Sequence, residues 1–69
     1  MQNLTVLVND EEKSVPVGET IASLIERLAI KPRGIAVACN SEVVPQENWK
    51  ATQLKSHDSI LIITATQGG

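Results

Sequence analysis

Aromatic side chains are nearly absent from this sequence of 69 residues: Trp49 is the one aromatic residue, and neither phenylalanine nor tyrosine occurs. Aliphatic side chains must therefore form the core of a single small domain, which buries only about 60% of its unfolded surface. Unpaired bases would find no aromatic platform for stacking, and a net charge of −2 gives no basic surface for phosphates. We therefore expect no nucleic-acid partner.

Cysteine and long apolar runs are also scarce. Cys39 is the single cysteine, which excludes an internal disulfide framework and a cysteine pair that could hold zinc or an iron–sulfur cluster. The apolar runs are too short to span a bilayer, and the segment Met1-Gln2-Asn3-Leu4 lacks the charged-then-apolar layout of a secretion signal. We expect a cytoplasmic protein that has no membrane partner.

Groups for catalysis are few. His57 is the only histidine and falls in a predicted turn, while Cys39 is predicted to point inward, where a thiol has a raised pKa and little reactivity. The acids of residues 10–12 lie in a predicted hairpin turn, where carboxylates are usually solvated. No phosphate loop, zinc spacing or Ser–His–Asp arrangement occurs. We therefore expect no bound metal or intrinsic cofactor, and a protein that is not an enzyme.

The apolar residues that are present predict an opening hairpin. Residues 3–8 alternate as in a strand with one buried face, and residues 9–12 favour a turn. Residues 13–17 resume the alternation, with Val15 and Val17 on one side. Pro16 cannot donate to a ladder, so this second strand should lie at an edge of the sheet.

A helix should follow, with Thr20 as its N-cap and its end before Pro32. Its apolar residues fall on one stripe that should pack on the sheet: Ile21, Leu24, Ile25 and Leu28.

The second half of the sequence predicts an internal strand over residues 35–40, a short strand at residues 43–44 and a helical turn at residues 46–49. A central strand should follow over residues 60–66. Trp49 should cap the end of the core, with its indole N–H bonded to a carbonyl. Ile35, Val37 and Cys39 should face the helix, and Leu54 should also point inward.

One side of this sheet should have no helix over it. If Ile60 and Ile62 pack under the helix, the opposite face carries Ala36, Ala38, Leu61 and Ile63, with Leu7 beside them. One reading is an exposed apolar docking site. The other is that central strands are simply apolar, and periodicity does not distinguish the two.

Gly68-Gly69 forms a tail without side chains, which could thread a narrow channel and present a carboxylate at its far end. The alternative is an ordinary frayed terminus. We expect a domain over residues 1–66 followed by a flexible tail over residues 67–69.

In this order of elements the chain resembles the ubiquitin-like β-grasp sulfur carriers, and above all those of thiamin biosynthesis. The likeness covers the full length, and its most specific part is Asn40 followed by Val43-Val44-Pro45 and Trp49. It also includes Asn9-Asp10, Gly18-Glu19-Thr20, Ala36-Val37-Ala38-Cys39 and Gly68-Gly69. It implies an α+β fold, with a mixed sheet of four to five strands packed on one main helix. Two departures are His57-Asp58, where the family usually has Gly-Asp, and the polar approach Thr64-Ala65-Thr66-Gln67.

The resemblance implies a mechanism that depends on partner enzymes. An E1-like adenylating enzyme would use Mg-ATP to activate the Gly69 carboxylate, and a cysteine desulfurase-linked donor would supply the sulfur of a thiocarboxylate. Thiazole synthase would accept that sulfur, while Gly68 provides a slim approach to the reacting atom. The residues expected to dock on partners are Ala36, Ala38, Leu61, Ile63 and Gln67.

Three alternatives stay open. The chain could be a sulfur carrier for molybdopterin or another pathway, a ubiquitin-like modifier joined to target lysines, or a β-grasp interaction module with an inert Gly-Gly end.

Overall fold

A computed structural model describes residues 2–64 of the chain. Five strands, one α-helix and one 3₁₀ helix make up this part, in agreement with the expected α+β class. Their bounds are β1 Asn3–Val8, β2 Glu11–Pro16, α1 Ile21–Arg27, β3 Ile35–Cys39, β4 Glu42–Val44, the 3₁₀ helix Gln46–Ala51 and β5 Ser59–Thr64.

The strands form one mixed sheet in the order β2-β1-β5-β3-β4. β5 lies at its centre, parallel to β1 and antiparallel to β3, as its apolar composition predicted. β2 is an edge strand, which confirms the expectation for Pro16. The Val17 N–H, one residue after Pro16, donates to the Gln2 carbonyl at 3.2 Å. Pro16 itself pairs with Asn3 at a position of the ladder where no backbone N–H has to donate to β1.

Both hairpins close through two residues with positive φ. Asn9 and Asp10 have φ of 50° and 70°, and Asn40 and Ser41 have φ of 52° and 74°. Positive φ at both central residues is the requirement of a type I′ turn, which suits the twist of a hairpin. The first turn is therefore shorter than the four residues expected, and Glu11–Pro16 already forms β2.

The prediction that Val15 and Val17 lie on one side of a strand is wrong. Val17 is 56% exposed, whereas Val15 is buried. β2 ends at Pro16, and Gly18 with φ of 96° then turns the chain toward α1, so the alternation of the strand does not extend to Val17.

α1 begins with the predicted cap. The Thr20 hydroxyl accepts from the Ser23 N–H at 3.1 Å, and the Ser23 hydroxyl accepts from the Thr20 N–H at 2.9 Å, which completes a capping box. The helix ends at Arg27, and Ala29 takes a positive φ of 59° ahead of Pro32. Its buried residues are Ile21, Leu24 and Ile25, with Leu28 half-buried at the C-cap.

A single aliphatic core lies between α1 and one face of the sheet. Trp49 closes one end of it, and its Nε1 donates to the Val44 carbonyl at 2.9 Å, as predicted. The buried apolar residues are Val6, Val8, Val15, Ile21, Leu24, Ile25, Val37, Trp49, Leu54, Ile60 and Ile62. Neither helix in residues 2–64 has the length and apolar character needed to cross a bilayer.

Candidate functional site

The sheet face opposite α1 is apolar and exposed. Leu61 and Ile63 of β5 are 48% and 51% exposed, and they lie directly across from Ala38 and Ala36 of β3. Side chains of directly paired residues share one face of a sheet, so the four form a continuous patch. All four occupy the face on which the alternation placed them.

Two further apolar residues extend this patch. Val43 of β4 pairs with Ala38 and is 73% exposed, and Leu7 of β1 pairs with Ser59, which shares the face of Leu61 and Ile63. The sequence suggested Leu7 but missed Val43, because a three-residue strand shows too little alternation to reveal which side chain faces outward. We call this set the apolar face: Leu7, Ala36, Ala38, Val43, Leu61 and Ile63.

β5 links the apolar face to the end of the chain. It contributes Leu61 and Ile63 to the middle of the face, and Thr64 pairs with Ile35 before the sequence continues toward Gly68-Gly69. The predicted site residues Gln67, Gly68 and Gly69 lie outside the described residues.

Asparagine side chains hold β5 at two points, a feature that the sequence pattern does not predict. At the start of the strand the Asn40 Oδ1 accepts from the Ser59 N–H at 3.0 Å, and at its fourth residue the Asn9 Oδ1 accepts from the Ile62 N–H at 2.8 Å. Asn9 and Asn40 both occupy turns, so their sequence signal is a turn signal. Their long-range bonds appear only in the folded chain.

Asp58 completes the support at the start of β5. Its buried carboxylate accepts from the Asn40 Nδ2 at 3.0 Å and from the Lys55 N–H at 2.8 Å. His57 beside it is exposed with φ of 69°, so the turn keeps a left-handed residue where the resemblance leads one to expect glycine. His57 is a turn residue, as expected, and Asp58 is a structural acceptor.

Cys39 is poorly suited to carry or attack a reacting group. It is half-buried on the helix side of β3, and burial, with the negative charge of Asp58 adding to it, raises the pKa of its thiol. A thiol that stays protonated is a weak nucleophile.

Glu19 is an ionisable group with a structural partner. Glu19 is buried and accepts from the Arg27 Nε at 2.8 Å, and this hydrogen bond lowers the pKa of the carboxyl. Of the exposed acids at residues 10–12, Asp10 lies in the first hairpin turn, and Glu11 and Glu12 begin β2. Within residues 2–64, no three His, Cys, Asp or Glu side chains gather as metal ligands would.

A pocket of about 210 Å³ lies in the helical layer, between α1 and the 3₁₀ helix. Trp49 lines it together with Ile25, Ile30 and Pro32, but the indole N–H is already committed to Val44. Because the apolar face is the sheet face opposite α1, this pocket lies on the other side of the sheet from it.

Comparison with known proteins identifies the group to which this arrangement belongs. The model of the ThiS family matches residues 2–69. The chain belongs to the ThiS family. Among proteins of known function, this ThiS-family chain is 32% identical over 66 residues to the sulfur carrier protein ThiS of Escherichia coli strain K12. That match covers 96% of this chain and 100% of that protein.

Two further similar proteins extend this comparison. A thiazole synthase of Paramagnetospirillum magneticum is 26% identical over 66 residues, which cover 96% of this chain but 20% of the length of that protein. The crystal structure of the thiamine biosynthesis protein ThiS from Geobacter metallireducens superposes with a TM-score of 0.82. It is 23% identical, and the match covers 96% of this chain and 100% of that one. This structural likeness confirms the ThiS β-grasp fold.

Proposed function

We propose that this chain is the sulfur carrier of thiamin thiazole biosynthesis, and that its Gly69 carboxylate is converted to a thiocarboxylate. The observation that carries the proposal is the ThiS-family match over residues 2–69, which includes both the β-grasp domain and the Gly-Gly end. The likeness to a segment of a thiazole synthase supports that enzyme as the sulfur acceptor.

The chemistry requires activation of the carboxylate. A terminal carboxyl with a pKa of about 3.3–3.7 is ionised at neutral pH and resists nucleophilic attack. In an E1-like enzyme that uses Mg-ATP, an oxygen of the Gly69 carboxylate attacks the α-phosphorus and pyrophosphate leaves. The resulting adenylate gives the acyl carbon a good leaving group.

Sulfur then replaces AMP. The terminal sulfur of a persulfide, formed by a cysteine desulfurase, attacks the acyl carbon of the adenylate. AMP leaves, and the product is an acyl disulfide between Gly69 and the sulfur donor. A thiol then attacks the sulfur–sulfur bond, which releases the thiocarboxylate on Gly69 and leaves a disulfide on the donor. The catalytic groups of each step belong to the partners, so the chain is a co-substrate and not an enzyme.

Two features of the described residues support this assignment. The thiol of Cys39, the single cysteine, has a raised pKa and faces the helix side, which argues against sulfur carriage on this side chain. The apolar face provides an exposed aliphatic surface on the strand that continues toward Gly69, so docking and delivery of the tail would involve one strand. We propose that Ala36, Ala38, Val43, Leu61 and Ile63 contact the partners, with Gln67 at the approach to the tail.

The test is intact-protein mass spectrometry. Wild type is incubated with the activating enzyme, Mg-ATP and a desulfurase-derived sulfur source, beside a chain that lacks Gly68-Gly69. A gain equal to the mass difference between sulfur and oxygen is expected in wild type alone. Wild type with neither an adenylate nor this gain would contradict the proposal.

The threading role of the glycines has its own test. Gly69→Ala should leave folding intact and slow ATP–pyrophosphate exchange, because a Cβ at the reacting residue obstructs a narrow channel. A wild-type exchange rate in this variant would contradict the role of Gly69 in threading.

A further inference from the structure

Asn9 is the residue at which the pairing between β1 and β5 ends. The two parallel strands pair through Leu7 with Ser59 and Val8 with Ile60, and the Asn9 N–H donates to the Ile60 carbonyl at 2.9 Å. At Asn9 a φ of 50° then starts the hairpin turn toward β2. The main chain of β1 therefore offers β5 no further partner on this side.

The side chain of Asn9 takes the place of the missing main chain. Its Oδ1 accepts from the Ile62 N–H at 2.8 Å, and its Nδ2 donates to the Ile62 carbonyl at 3.4 Å. A carboxamide has the same donor and acceptor as a peptide group, so it adds one more step to the parallel ladder. Asparagine also tolerates the positive φ that the turn requires.

The contact with Asn9 is made at a residue of β5 that is also paired with β3. On its other side Ile62 pairs with Val37, so the strand is held from both neighbours at one residue. Leu61 and Ile63, on either side of Ile62, both belong to the apolar face. The bonds to Ile62 therefore hold β5 on the β1 side just before its last two residues, Ile63 and Thr64, which pair with β3.

We propose that Asn9 is a positioning residue that sets the direction in which the chain continues from β5 toward Gly69. The inference rests on the proposed function. When the apolar face is docked on the activating enzyme, the direction of β5 decides where the terminal carboxylate arrives. Asn9 touches no reacting atom and acts through the backbone of Ile62.

This role predicts a separation of kinetic effects. Loss of the Asn9 amide leaves the apolar face in place, so the carrier concentration at half-maximal rate should stay within about twofold of wild type. The maximal rate should fall at least about tenfold, because small misplacements of reacting atoms have large effects on rate. A purely structural role would lower stability without this separation.

The experiment compares Asn9→Gly with Asn40→Gly. Each substitution keeps a residue that tolerates positive φ and removes side-chain bonding to the backbone of β5. Asn40→Gly removes the acceptor for the Ser59 N–H at the start of the strand, together with the bond from Asn40 to Asp58. The full-length variants are assayed for ATP–pyrophosphate exchange with the activating enzyme, and amide hydrogen exchange is followed by NMR. Asn9→Asp, which keeps the acceptor for the Ile62 N–H, should recover part of the rate.

In Asn9→Gly the Ile62 amide should exchange about tenfold faster and kcat should fall, while Asn40→Gly keeps the kcat of wild type. Equal loss of kcat in both variants, or a wild-type kcat in Asn9→Gly, would overturn the positioning role alone. If wild type itself supports no exchange of pyrophosphate, the proposed function fails and this inference fails with it.

Discussion

His57 adopts a backbone conformation that glycine would occupy at lower cost. Its φ of 69° places a residue with a Cβ in the left-handed region, where the strain is about 1–2 kcal/mol. Its side chain is exposed, and within the described part of the chain it bonds only to the neighbouring Ser56 hydroxyl at 3.1 Å. The side chain therefore contributes little to offset this strain.

We predict that His57→Gly stabilises the fold. Relief of the strain is partly cancelled by the greater freedom of glycine in the unfolded chain, about 0.4–1 kcal/mol, which leaves a net gain of about 0.5–1 kcal/mol. Urea unfolding followed by circular dichroism measures it. Ser56→Gly is the matched control, because Ser56 has no positive φ and should lose stability. A loss of stability in His57→Gly would contradict the strain argument.

Glu19 gives the second prediction at this scale. The hydrogen bond from Arg27 lowers the pKa of its carboxyl below the ordinary value of 4.5, so the folded state favours the carboxylate. This stabilisation is fully present above pH 4.5 and is lost as the pH falls through the lowered pKa of the folded state. Glu19→Gln should therefore remove part of the decline in the free energy of unfolding between pH 5 and pH 2.

The control for this prediction is Glu26→Gln. Glu26 is exposed on α1 next to Arg27, and no ion pair to it occurs among residues 2–64. Urea midpoints across the acidic range, compared for the two variants and wild type, provide the measurement. The same acid sensitivity in Glu19→Gln as in wild type would show that the Glu19–Arg27 pair does not contribute to it.

At the scale of elements, α1 depends strongly on its first turn because it has only seven residues. Isolated helices of this length are unstable, so tertiary packing and the cap must hold it. We predict that Thr20→Ala costs about 0.5–2 kcal/mol, since the Ser23 N–H loses its acceptor. Thermal unfolding followed by circular dichroism measures the loss.

Thr20→Ser keeps a hydroxyl and should retain most of the stability. Because Thr20 and Ser23 bond to each other reciprocally, the double variant with Ser23→Ala should cost less than the sum of the single changes. Additive losses would mean that the capping box does not act as a unit.

The local pattern of apolar residues predicted most of the strands and the helix. Alternation located β1 and β3, a continuous apolar run located β5, and the apolar stripe with Thr20 located α1, because each signal is complete within a few neighbouring residues. The length of the first turn and the exposure of Val17 were not predictable in this way. They depend on positive φ at Asn9 and Asp10 and on Gly18, which the turn signal allows without requiring.

At the scale of the whole molecule, the candidate site depends on strand order. The residues Ala36, Ala38, Leu61 and Ile63 could be placed on one face from alternation, but Val43 joins them only because β4 pairs with β3. The bonds of Asn9 to Ile62 and of Asn40 to Ser59 join positions far apart in sequence. No local signal encodes such contacts, so the support of β5 emerges only from the folded sheet.

The apolar face gives the last prediction, which also separates its two interpretations. Leu61→Thr with Ile63→Thr should weaken binding to the activating enzyme and to thiazole synthase at least about tenfold, since burial of each aliphatic side chain contributes about 1.5–3 kcal/mol. Stability should change little, because both side chains are about half exposed and threonine keeps a β-branched residue in the strand. Isothermal titration calorimetry measures the affinities.

Val17→Thr is the matched control, since Val17 is as exposed as Ile63 but follows the edge strand β2 and lies outside the apolar face. Its affinities should equal those of wild type. If the double variant is folded and binds both enzymes as tightly as wild type, the exposed side chains of β5 only reflect the apolar composition of a central strand. Selective loss in the double variant would instead mean that the uncovered face is retained for binding, because a folded chain gains nothing from leaving these side chains in water.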